Sequence, residues 1–239
     1  MAEKIKHAFI VTSAINSKFG VFNPNQRLSQ TVDTITSIRD RLPDARIFVM
    51  ECCGTPITDA QANVLIANSD GFIDYSQDDD VKALYESDNW DVVKNGTEIM
   101  CFGRALNTFK NNGNFAGTDR VHKMSGRYVL NDLFDPELYE SNPDRIIIGP
   151  KHSSQFPPEV TQVPFQYMAR LWSWPTARTD EVIGVYEDSL VFFAERLAAG
   201  GYVDIEHVLG KFLNPEHVLE VDQLGVEGCI APNGIAIKN

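Results

Sequence analysis

His122-Lys123-Met124-Ser125-Gly126-Arg127-Tyr128 is the stretch on which the reading of the fold turns. The pattern predicts a strand from Arg120 to Met124 that runs into a small-residue turn, presents an arginine and a tyrosine, and continues as a second apolar run from Tyr128 to Leu130. Polar groups offered at a strand end are where open α/β sheets place their ligands, in the crevice beyond the carboxyl ends of the strands. The motif therefore asks for a sheet on either side of it.

Upstream, His7-Ala8-Phe9-Ile10-Val11-Thr12 has the continuous apolar profile of a fully buried first strand. A long loop, Asn16 to Gln26, leads to a helix from Arg27 to Leu42 with Ser29 as its expected cap, and Pro43 stops it. Ala45 to Glu51 is a second strand, which completes a right-handed βαβ unit. Further helices are expected from Thr58 to Ile66, from near Val81, and from Lys94 to about Lys110, with a short strand at Phe72 to Tyr75. The motif then ends the fourth strand of a parallel array. Downstream the pattern predicts a short helix at Pro136 to Tyr139, a strand at Arg145 to Gly149, and a loop from Lys151 to Pro164. A strand at Phe165 to Trp174 and helices from Asp180 to Ala198 and from near Asp204 follow. Short strands over Val218 to Val221 and Val226 to Ile237 end the chain, with Ala231-Pro232-Asn233-Gly234 read as a turn. The expected fold is α/β: a single Rossmann-like domain over 1–239, with a mostly parallel central sheet flanked by helices.

Composition narrows the function. At 239 residues the chain is long enough for one substantial core, and no apolar run approaches the roughly 18 residues of a membrane helix. Met1-Ala2-Glu3-Lys4-Ile5-Lys6 leads into a strand without a signal-peptide pattern, so a cytoplasmic setting is expected. Cys52, Cys53, Cys101 and Cys229 lack paired spacing and are expected to be buried free thiols. A formal net charge of −12 argues against nucleic acid or an anionic membrane as partner, so any phosphate in the ligand must be met locally. The run Asp78-Asp79-Asp80 offers carboxylates to a metal or to the positive end of the following helix, and the second is the simpler reading. Neither G-x-G-x-x-G nor G-x-x-x-x-G-K-[ST] occurs.

Thr12-Ser13-Ala14, Gly20-Val21-Phe22, Arg27-Leu28-Ser29-Gln30-Thr31 with Thr34-Ile35-Thr36-Ser37-Ile38-Arg39, and Lys123-Met124-Ser125-Gly126-Arg127-Tyr128 together resemble the pattern of GT-A-like glycosyltransferases from viral and environmental genomes. The resemblance spans roughly residues 7 to 135, and K-x-S-G-R-Y is its most specific element. It departs at Lys94-Asn95-Gly96-Thr97-Glu98, which stands where such sequences carry K-G-x-G-E. It implies a GT-A-like fold that binds a nucleotide-diphosphosugar, with 1–135 as the nucleotide half and 136–239 as the acceptor side. By the same resemblance, Thr12 and Ser13 would line the nucleotide pocket, Arg27 would reach base or phosphate, and Lys94 and Glu98 would face the crevice from a helix start. GT-A strand ends of this type usually carry an Asp-x-Asp that holds a divalent ion against the diphosphate. Here Lys123, Ser125 and Arg127 stand in its place, and a planar guanidinium can neutralise phosphate directly, so no metal cofactor is expected.

Asp204-Ile205-Glu206-His207 is the second constellation. Glu206 or His207 is a candidate base for the acceptor hydroxyl; alternatively Asp204 caps a helix and the other two lie on its solvated side. Trp172, in Arg170-Leu171-Trp172-Ser173-Trp174-Pro175, could stack on an acceptor sugar or pack in the core. Three functions remain open: a transferase moving sugar from a nucleotide donor to a glycan or other hydroxyl acceptor, a non-catalytic nucleotide- or glycan-binding scaffold, and, less favoured, another nucleotide-dependent α/β enzyme.

Overall fold

The computed structural model describes residues 5–230 and 233–238. The Met1 to Lys4 stretch and the Ala231-Pro232 pair of the last turn lie outside the described residues. In chain order the first half contains β1 (His7–Ser13), α1 (Pro24–Arg41), β2 (Arg46–Glu51), α2 (Asp59–Asn68), β3 (Gly71–Asp74), α3 (Asp79–Tyr85), α4 (Trp90–Asn111), β4 (Arg120–Ser125) and β5 (Tyr128–Leu130). The second half contains α5 (Pro136–Glu140), β6 (Ile146–Ile148), β7 (Lys151–Ser153), α6 (Pro158–Thr161), β8 (Phe165–Tyr167), β9 (Leu171–Pro175), α7 (Thr179–Ala198), α8 (Ile205–Phe212), β10 (Val218–Glu220), β11 (Val226–Cys229) and β12 (Ala236–Lys238).

The central sheet has seven strands in the order β10-β6-β9-β4-β1-β2-β3, drawn from both halves of the chain. All its pairings are parallel except those of β9, which runs against both β4 and β6. The mostly parallel α/β architecture expected from the sequence is therefore present. Both faces are covered, which is why β1 and β2 read as unbroken apolar runs. Ala8, Ile10, Phe48 and Met50 join a core beneath α4, α7 and α8, while Phe9, Val11, Ile47 and Val49 join a second beneath α1 and α2. Among the described residues no helix is long and apolar enough to cross a membrane.

Several boundaries differ from the sequence reading for identifiable reasons. Helix α1 starts at Pro24, not after Ser29, because Asn23 and Gln26 form a reciprocal capping box and Pro24 suits the first helical position. Helix α4 starts at Trp90 under the Asn89 cap, so Lys94 and Glu98 lie inside the helix and not at its start. The expected strand at Phe165 to Trp174 breaks into β8 and β9, and the expected loop at 151–164 contains β7 and α6. The acidic run is spent on Arg104, which pairs with Asp78 and Asp80. The helix expected from Thr58 forms, with Thr58 as its cap, and so does the helix after Asp204. Cys52, Cys53 and Cys101 are buried free thiols, whereas Cys229 is only partly buried.

At the far end of the sheet from the carboxyl ends, two neutral imidazoles meet across β1 and β4, with His7 Nδ1 2.8 Å from His122 Nε2. His122 also stacks on Phe9 at 4.3 Å. Burial, reinforced by Arg120, lowers the His7 pKa from 6.5 to about 4; burial, reinforced by His7, pushes His122 well below its ordinary value. In the unfolded chain both take up protons near pH 6.5, while the folded protein resists until far lower pH. Stability is therefore fully present above pH 6.5 and is lost as pH falls towards 4, at up to about 2.7 kcal/mol per pH unit for two groups. Urea unfolding at about pH 7 and about pH 5 should show this loss, and His122→Gln should remove roughly half of the slope. A midpoint unchanged between the two pH values contradicts it.

Candidate active site

The chain runs from β1 outward to β2 and β3, then returns to lay β4 on the other side of β1. A crevice opens where the order reverses, beyond the carboxyl ends of β1 and β4. Its first wall is the turn Ser125-Gly126-Arg127. Gly126 N–H donates to Thr12 O at 2.8 Å, and Gly126 O accepts from Thr31 Oγ1 at 3.3 Å. A Cβ on Gly126 would lie 2.9 Å from Thr12 O and 3.0 Å from Thr31 Oγ1, so the close approach needs glycine. Held this way, the chain leaves the sheet at Arg127 and re-enters as β5, which pairs with β11.

Arg127 is half-buried in the crevice, its guanidinium carbon 5.9 Å from the Tyr128 ring centre, and its Nε is buried without a hydrogen-bond partner among the described residues. Arg27, 7% exposed on the first turn of α1, donates from Nε to Ala14 O at 3.0 Å. It is thus not a surface helix charge. Burial, reinforced by the nearby Arg127 charge, lowers its pKa to about 10, which still leaves it cationic at neutral pH. The two guanidiniums line the same inner crevice, near enough that the Arg127 charge disfavours that of Arg27.

Glu51, fully buried at the end of β2, organises the turn after β1. It accepts Ser13 Oγ at 2.7 Å, Ile15 N at 3.1 Å and Cys53 N at 3.0 Å. Ser13 is therefore committed to Glu51, and burial holds the Glu51 carboxyl above its ordinary range despite these donors. Thr12 and Ser13 line the narrow inner part of the crevice, about 60 Å³, together with Arg27, Cys52 and Tyr85.

The wider outer part, about 440 Å³, shares Trp90, Lys94, Glu98 and Arg127 with the inner one. Lys94 and Glu98 reach both because they are one turn apart on α4. Lys123 is 1% exposed, hydrogen-bonds Ser125 Oγ and Ala169 O at 2.8 Å each, and faces Glu98 Oε1 at 2.7 Å. Burial alone would raise the Glu98 carboxyl, but the Lys123 ammonium, with Lys94 and Arg127, more than offsets it and leaves the pKa lowered. Expected as a free cation for a diphosphate, Lys123 is instead neutralised by Glu98, and Ser125 is its hydrogen-bond acceptor.

Asp204 caps α8 through His207 N at 2.9 Å. Glu206 lines the outer crevice, and burial together with Asp204 raises its pKa. His207 does not line the crevice: it is fully buried, with Nδ1 on Asp204 and Nε2 on Ser154. The solvated side expected for both residues in the capping alternative is wrong for His207 for the same reason. Trp172 is 0% exposed and stacks against Trp174 at 4.7 Å in the core, so it forms no acceptor platform. Its ring is taken up by the core packed under α4, α7 and α8.

Arg170 was not singled out as a site residue in the sequence, yet it lines the outer crevice and donates from Nε to Tyr128 OH at 3.2 Å. Only the antiparallel register of β9 on β4, with Leu171 opposite Met124, brings it there. Ile230 and Asn233, beside the last turn, also reach this part of the crevice. Among the described residues no group of three or more His, Cys, Asp or Glu side chains is placed to hold a metal ion.

Gly126→Ala should destabilise the protein by about 1–3 kcal/mol, because backbone and not a flexible side chain blocks the new methyl. Urea unfolding of the variant measures this, and an unchanged midpoint would show that the turn gives way freely. No protein-family model matches the chain, and no curated protein matches it.

Proposed function

We propose that the chain is a glycosyltransferase, which holds a nucleotide-diphosphate sugar in this crevice and passes the sugar to a hydroxyl acceptor on the Glu206 side. The observation that carries the reading is the convergence of Arg27 and Arg127 at the switch point of the sheet, in a chain whose net charge is −12. Cleaving the bond between the sugar and the diphosphate builds negative charge on the departing phosphate oxygens. Guanidiniums already in place stabilise that charge without reorganising at the moment of reaction. The outer crevice, about 440 Å³, is the part with room for nucleoside and sugar, while the inner part, about 60 Å³ beside Arg27 and Arg127, suits nothing larger than a phosphate group. Glu206, its pKa raised by burial and Asp204, is the side chain best suited to take the acceptor proton. Lys123 supports the reading indirectly: by holding Glu98 in an ion pair, it masks a carboxylate that would otherwise repel a diphosphate.

Calorimetric titration with UDP, GDP, UMP and CMP, with and without chelator, tests the proposal. One diphosphate should bind more tightly than its monophosphate, with no loss in chelator. Arg127→Ala should weaken that diphosphate about 10-fold or more, the size of a lost charge-assisted hydrogen bond, and leave the monophosphate less affected. No binding by any of the four, or binding that vanishes in chelator, overturns it. Binding without transfer from any donor favours a non-catalytic nucleotide-binding domain.

A raised Glu206 pKa has its own signature. If transfer is found, kcat should rise with pH through a carboxyl group titrating above the ordinary Glu value, and Glu206→Gln should flatten that limb. An identical pH profile in Glu206→Gln removes Glu206 from the mechanism.

A further inference from the structure

We propose that Ser154, His207 and Asp204 form a second, hydrolytic centre at the rim of the crevice, a serine nucleophile with its base and orienting carboxylate that cleaves small acyl esters. The inference stands apart from the transferase reading, in which Ser154 and His207 have no part and Asp204 is only a charged neighbour of Glu206.

Asp204 Oδ1 lies 2.5 Å from His207 Nδ1 and also accepts His207 N at 2.9 Å. An ionised carboxylate only accepts, so Nδ1 carries a proton, and in the neutral ring the lone pair then sits on Nε2. Nε2 is 2.8 Å from Ser154 Oγ, and in this tautomer the hydroxyl is the donor. The carboxylate that starts α8 thus also fixes the imidazole in the form that can deprotonate a serine. Asp204 and His207 are buried, while Ser154 is half-buried on the turn after β7. The order of exposure suits a nucleophile backed by a protected base.

The turn around Ser154 is itself held in place. Ser154 N–H donates to Pro164 O at 2.9 Å, and Ser154 Oγ accepts Phe156 N–H at 3.0 Å. Phe156 O, 2.8 Å from the same hydroxyl, is the acceptor a purely structural turn would use in place of His207. Gln155 N–H, next to the nucleophile, has no hydrogen-bond partner among the described residues and can serve an oxyanion. Gln155, Phe156 and Asp204 line the outer crevice, so an ester of a hydroxyl compound held there could reach the serine.

In the first step Ser154 Oγ bonds to the ester carbonyl carbon and its proton passes to His207 Nε2. The bond from carbon to the leaving oxygen breaks, and that oxygen departs as an alcohol with the proton from Nε2. Water, deprotonated by His207, then cleaves the acyl-serine to a carboxylic acid and returns the proton to Ser154. Ester and water give acid and alcohol, with no other reactant.

The probes are p-nitrophenyl acetate turnover and covalent labelling by a fluorophosphonate, mapped by peptide mass spectrometry. The intact protein should turn over the acetate and carry the label on Ser154, and Ser154→Ala and His207→Gln should each lower both rates by about 100-fold or more. Asp204→Asn is the second variant: asparagine still caps α8, so it should fold, yet it no longer enforces the tautomer and should slow both probes. Circular dichroism melting confirms that each variant is folded. No label on Ser154 in the intact protein, or label and turnover at undiminished rates in Asp204→Asn and His207→Gln, overturns the proposal and leaves Ser154 as a turn residue.

Discussion

The hydrogen bond from Gly126 N–H to Thr12 O fixes the end of β4 against the end of β1, and the geometry of the crevice follows from it. Because nothing larger than glycine fits there, the chain turns out of the sheet at that position and Arg127 is delivered into the opening. Thr31 Oγ1 on α1 donates to Gly126 O, which ties the helix carrying Arg27 to the turn carrying Arg127. One close backbone approach therefore sets the relative position of two guanidiniums contributed by elements 100 residues apart in the chain, residues 27 and 127.

The electrostatics are divided by burial. Lys123 and Glu98 neutralise each other in the crevice wall, while Arg27, Arg127 and Arg170 spend their bonds on a carbonyl, on nothing charged, and on a phenol. Paired charges contribute little to a local potential, whereas unpaired cations in a partly dry crevice dominate it. Away from the crevice, the exposed carboxylates Asp78 and Asp80 are paired with Arg104. On the remaining face of the same crevice, Glu206 and the capping carboxylate Asp204 supply acid–base character close to the cations.

The first half of the fold was legible because fully buried parallel strands leave unbroken apolar runs and helices leave a period of 3.6. The strand end at Ser125 was legible for the same reason, and with it Arg127. Helix starts were less so: Asn23-Pro24-Asn25-Gln26 reads as a loop until the reciprocal bonds of its capping box are seen. Sequence could not assign Lys123 to Glu98, because a buried ion pair between a strand and a helix has no local signature. Trp172 and His207 show the same limit, since polarity and aromaticity suggest a ligand while only strand alternation and helix phase decide which way a side chain points. Arg170 and Ser154 depend on antiparallel register and on a turn more than 50 residues from its histidine partner, neither of which is written in local pattern.

The placement of β4 beside β1 also has a kinetic meaning. Lys6 meets Asp119 across 113 residues, so the central pair of the sheet closes only after most of the first half has been made. Such a long loop is costly to close, and topologies dominated by distant contacts fold slowly. Until β4 arrives, β1 exposes an unpaired apolar edge of the kind that templates association between chains. The two guanidiniums come together only once that edge is covered, so on a growing chain Arg27 waits about 100 residues for Arg127, until about the time the risk of aggregation falls.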